Sequence, residues 1–105
     1  MSGKTRKQQI EEMLAEEPND SFLRYGLAME YVSDKDDDNA VRCFQELLNL
    51  DRTYVPAYLQ ISQALIRLGR WEEARGTLNR GIAAAKQKGD VHAAEEMHGF
   101  LAGLG

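Results

Sequence analysis

Apolar side chains return at i, i+3 and i+4 along most of this chain, and short polar breaks carrying Gly, Pro or Asp separate the runs. That rhythm predicts helices joined by tight turns. The clearest passage runs from Leu65 to Leu78. Helix formers reach Leu68, Gly69 can take the left-handed conformation that closes a helix, and Glu72 and Glu73 fall in the next first turn, where the macrodipole favours anions. Trp71 stands at the corner, large enough to wedge between the two helices. Outward from there, residues 4–17 predict a helix with Ile10, Met13 and Leu14 on one side, stopped by Pro18. Asn19, Asp20 or Ser21 can cap a second helix over 21–33, apolar nearly all round through Phe22, Tyr25, Leu27, Met29, Tyr31 and Val32. A third, over 37–50, carries Ala40, Val41, Phe44, Leu47 and Leu48. Pro56 suits the first turn of a fourth, which turns Tyr58, Ile61, Ser62, Leu65 and Leu68 inward. The fifth runs from Trp71 to about Lys88 with Ala74, Leu78 and Ile82 inward. Gly89 ends it, and Asp90 caps a last helix whose Val91, Ala94, Met97, Leu101 and Leu104 lie near one face.

The pattern also repeats. Shifted by 34 residues, Leu27 falls on Ile61, Ala28 on Ser62, Tyr31 on Leu65, Ala40 on Ala74, Phe44 on Leu78 and Leu48 on Ile82. Large apolar residues superimpose on large ones and small on small, as expected where two helices cross closely. The division that follows is a single domain over 1–105: a half unit at 4–18, full units at 21–54 and 55–88, and a last helix at 90–104. A third unit does not follow in register, because the shift puts Glu96 at the small crossing position. The last helix is therefore expected to cap the stack.

Composition narrows the function. With 105 residues the chain is long enough for one core without staples, and its single cysteine, Cys43, excludes an internal disulfide. No apolar run approaches the ~20 residues of a membrane span. The basic start is followed by polar, acidic sequence rather than the apolar core of a signal peptide, so the expected compartment is the cytoplasm. A net charge of −4 speaks against nucleic acid. It is unevenly spread: residues 1–51 hold 12 acidic and 6 basic side chains, residues 52–105 hold 5 and 7. Either head-to-tail contacts or a solvated surface accounts for that polarity.

The period and its landmarks resemble the tetratricopeptide repeat family, whose helix-turn-helix unit carries a W-x₂-L-G-x₂-Y…A-x₃-F…P signature. Tyr58, Ile61, Ser62 and Leu65 stand at the first four of these places, Ala74 and Leu78 at the next two, and Leu68-Gly69-Arg70-Trp71-Glu72-Glu73-Ala74 matches the inter-helix turn. In the earlier copy Leu27, Ala28, Tyr31, Ala40 and Phe44 match, and Pro18 closes a preceding half unit. Arg24, Arg52 and Lys86 depart from the signature, and Gly81 sits where Ala is usual. The resemblance implies an all-α, short right-handed superhelix, and a non-enzymatic scaffold that binds a protein, peptide or helix in the groove lined by its first helices. By register that groove would be lined by Phe22, Tyr25, Met29 and Val32 from the first copy and Leu59, Gln63, Ile66 and Arg67 from the second. The Lys and Asn with which some members clamp a terminal carboxylate are replaced here by Tyr25, Met29 and Gln60, so that activity is not expected.

The apolar set of the second helix is the sharpest local feature. It suits an external partner, a second copy of the chain acting as a homodimer, or cover by the chain's own terminal helices. Asp34, Asp36 and Asp38 alternate like the start of a calcium loop, but the turn glycine is missing and Gln45 stands where the bidentate Glu belongs, so an acidic helix start is expected. His92 and Glu96 lack a third ligand. Cys43 has no neighbours that would make it a nucleophile. No phosphate loop or catalytic pair appears, and the sequence therefore predicts no enzyme, cofactor or metal site.

Overall fold

A computed structural model of the chain describes residues 3–105. It consists of six helices: α1 Arg6–Glu16, α2 Ser21–Ser33, α3 Asp37–Leu50, α4 Val55–Arg67, α5 Trp71–Lys88 and α6 Val91–Gly103. Each start has a local cause. Thr5 and Gln8 form a reciprocal capping box at α1, which places its first residue at Arg6 rather than at residue 4. Asp20, Asp36 and Asp90 accept from the amides of Leu23, Asn39 and Ala93 at the starts of α2, α3 and α6. Pro56 sits in the first turn of α4. Gly89, at φ 73°, ends α5 in the left-handed conformation that a side chain would resist.

Each helix packs on its neighbours in sequence, and α4 also touches α6. The radius of gyration is 14.4 Å, against about 13 Å for a compact domain of this length. The chain is thus a short linear array. The small residues do what the pattern predicted: Ala28, Ala40 and Ala74 are wholly buried and Ser62 nearly so. Each lets a neighbouring helix approach closely. The Ser62 hydroxyl donates to the Tyr58 carbonyl at 2.8 Å, so its burial leaves nothing unpaired. Phe44 and Leu78, one period apart, are both wholly buried.

The sixth helix departs from the period for a countable reason. Helix α5 is 18 residues long against 14 for α3, while the break after it is shorter, so α6 starts 36 residues after α4 rather than 34. On that spacing Ala94 and Met97 take the places of Tyr58 and Ile61, and both are buried. Two inward expectations fail. Val91 corresponds to Val55, which is 6% exposed beneath α6, yet Val91 itself is 66% exposed because no helix packs beyond it among the described residues. Trp71 is not a wedge either: it remains 50% exposed at the corner, close to Phe100 of α6.

Candidate functional site

The first helices of the hairpins, α2 and α4, share one side of the array with α6. Tyr25 marks its centre. Its ring is tilted against Phe44 at 5.6 Å and Tyr54 at 5.3 Å, which fixes an aromatic on the surface at little further entropic cost. Burial raises the Tyr25 phenol above its usual pKa, and the neighbouring Tyr54 adds to the shift. Tyr25 forms one wall of a cleft of about 160 Å³ closed by Pro56, Leu59, Glu96 and Met97. On its other side it borders a second hollow of about 190 Å³ with Phe22, Met13 and Ile10, where α1 meets α2. Glu96 in turn borders a third, of about 500 Å³, between Ile66, Trp71, Phe100 and Leu104. Tyr25 is common to the central cleft and the second hollow, and the exposed Glu96 carboxylate to the cleft and the third, so the three follow one another as a largely apolar track interrupted by Gln60, Asp90 and Glu96.

The residues expected to line a groove are divided along that track. Tyr25 and Leu59 meet in the central cleft, Phe22 is 78% exposed at one end, and Ile66 belongs to the other. Met29 and Val32 are half-buried and pack on the core. Gln63 is half-buried on α4. Arg67 is engaged elsewhere: its guanidinium donates to both carboxylate oxygens of Asp37, at 2.9 and 3.0 Å, and ties α4 to the start of α3. Pattern reasoning missed Pro56, Trp71, Glu96 and Phe100. Phe100 lies one position from the inward stripe of α6, and an aromatic beside such a stripe was the available signal.

The other candidate chemistry resolves into structural roles. Asp36 caps α3, Asp34 pairs with Lys7, and Asp37 pairs with Arg67. The Asn39 side chain and amide hold the Asp36 carboxyl below its usual pKa. Burial, reinforced by Glu46, raises the Cys43 thiol, which makes it a poorer nucleophile at neutral pH. His92 and His98 are exposed.

The sequence model of the tetratricopeptide repeat matches residues 31–97. The chain belongs to the tetratricopeptide repeat family. A TPR repeat-containing protein of Pseudomonas aeruginosa is 30% identical over 92 residues, 88% of either chain. Among solved structures, a protein of Bordetella parapertussis superimposes with a TM-score of 0.84 at 29% identity, over 96% of this chain and 88% of that one. The crystal structure of a tetratricopeptide repeat domain protein of Salinibacter ruber gives 0.75 at 29% identity, over 81% and 94%. Tetratricopeptide repeats generally mediate protein–protein interactions and are generally non-catalytic. Among the described residues no helix is long and apolar enough to cross a membrane.

Proposed function

We propose that this tetratricopeptide repeat protein is a non-catalytic interaction module that takes a peptide or helix of a partner protein along the α2/α4/α6 side. The succession of these three hollows along one side carries this reading. Phe22, Tyr25, Leu59 and Ile66 lie along it, with Trp71 and Phe100 beside Ile66. Exposed aromatics backed by a rigid scaffold suit an interface, since little side-chain freedom is lost when they are covered. In this reading Met29, Val32 and Gln63, which line none of the three hollows, take no direct part, and Arg67 holds its helix in place through Asp37. A second copy of the chain is the other candidate occupant, favoured by the uneven charge of its two halves.

The test compares wild type with Phe22→Glu and Leu59→Glu in affinity capture read by mass spectrometry, with circular dichroism confirming that both variants fold. Loss of the same captured proteins by either variant supports the reading. Full retention by both refutes it. A concentration-dependent mass in light scattering, abolished by the same substitutions, would assign the track to self-association instead.

A further inference from the structure

We propose a second binding site, independent of the apolar track: a pocket between α3 and α5 in which Arg52 and Arg80 hold the phosphate group of an organic phosphate. A cavity of about 510 Å³ lies there. It brings Arg52, from the connector after α3, together with Arg80 of α5, and Gln45 and Asn49 of α3 add amide donors. Leu48 of α3 supplies apolar surface above the buried Tyr58 and Ile61 of α4, and the lining contains no carboxylate.

Ion pairing singles these arginines out. Of eight arginines in the chain, Arg6, Arg24, Arg67, Arg70 and Arg75 pair with carboxylates. Arg42, Arg52 and Arg80 have no carboxylate partner among the described residues, and two of these three line the same cavity. A guanidinium is all donor, with a planar fork that matches phosphate oxygens two at a time. Two such groups in one concavity repel each other, and an anion between them relieves the repulsion. Both side chains are exposed, and that of Arg80 is seated in advance. Arg80 donates to the Thr77 hydroxyl at 3.2 Å, and that hydroxyl donates to the Glu73 carbonyl at 2.9 Å. The Tyr58 hydroxyl donates to the Arg52 carbonyl at 2.6 Å, anchoring the backbone that carries its side chain. Pre-anchored groups lose less freedom when a ligand arrives. The apolar contribution of Leu48 favours a phosphate with an organic body over the bare ion.

A phosphorylated side chain of a partner protein and a small organic phosphate share this chemistry. The experiment titrates the isotope-labelled full chain with phenyl phosphate, inorganic phosphate, phenol, and a phosphotyrosine peptide with its unphosphorylated twin. The readouts are the arginine Nε–H and Thr77 amide resonances. Saturable shifts centred on Arg52, Arg80 and Thr77 are expected with phenyl phosphate, weaker binding of inorganic phosphate, and none of phenol. Arg52→Gln and Arg80→Gln should each weaken phenyl phosphate by at least about tenfold, the scale of one charge-assisted contact, while Arg42→Gln leaves it unchanged. Equal weakening by Arg42→Gln would reduce the effect to general surface charge and overturn the site, as would unchanged affinity in Arg52→Gln and Arg80→Gln, or no saturable binding. Tighter binding of the phosphopeptide than of phenyl phosphate would assign the anion to a partner protein, and the reverse order to a small molecule.

Discussion

Gly81 and Gly76 lie five residues apart on α5, and the same substitution should act on them with opposite sign. A Cβ added at Gly81 would stand 2.5 Å from the Met97 sulfur and 2.6 and 3.0 Å from Cβ and Cγ of Tyr58. Ordinary carbon contacts lie at about 3.5–4.0 Å. Met97 can swing aside at its flexible end, but the Tyr58 Cβ is rigidly attached to α4, so α4 and α5 would have to part by about an ångström. Overpacking of this kind costs about 1–3 kcal/mol, and the better helix propensity of Ala returns about 1. The net expectation is a loss of about 1 kcal/mol, lowering Tm by roughly 4–8 °C in a domain of this size. At Gly76 the nearest atom would be the mobile end of Arg80 at 3.5 Å, an ordinary contact. Only the propensity gain then remains, so Gly76→Ala should stabilise by about 0.5–1 kcal/mol. Urea and thermal unfolding followed by circular dichroism would measure both variants against wild type. Gly81→Ala proving as stable as Gly76→Ala would refute the packing argument, and with it the close approach of Tyr58 and Met97 to Gly81.

Other outcomes follow from the same packing. Ala74→Leu forces a larger side chain into a wholly buried crossing and should cost about 1–3 kcal/mol in thermal melts. Thr5→Ala removes half of the α1 capping box, and about 1 kcal/mol of helix stability with it, read as faster hydrogen exchange confined to α1. The Thr53 hydroxyl and amide, at 2.7 and 3.0 Å, hold the Asp51 carboxyl below its usual pKa. Its contribution to stability is therefore complete above the ordinary carboxylate pKa of about 4 and is lost as pH falls through the lower folded value. Asp51→Asn should shallow the acid limb of a stability–pH profile, and an unchanged limb would remove Asp51 from that account.

The fold was legible because one signal is strictly local and another strictly periodic. Capping residues and glycine stops set the helix ends, and Ala28, Ala40, Ser62 and Ala74 announced the crossings by being small where their neighbours are large. What the pattern could not carry depended on partners far away in sequence. Arg67 pairs with Asp37 thirty residues earlier, and nothing on its own helix marks it as engaged. Trp71 reads as a wedge until α6 is placed, and the 34-residue shift falls two residues out of register at α6 because of the longer α5 and shorter break. Val91 follows the helical stripe correctly, yet burial requires a helix to lie over it. The apolar track was legible in Tyr25 and Leu59, but its continuation past Glu96 to Trp71 and Phe100 required the true spacing of α6.

Because almost every contact in this array joins helices adjacent along the chain, little loop entropy stands between the unfolded chain and its first native pairings. Domains rich in such local contacts fold in microseconds to milliseconds. A nucleus can therefore form at the α4–α5 hairpin and grow in both directions, while melting begins at α1, which α2 alone holds through more than a marginal contact, before α6, which rests on both α5 and α4.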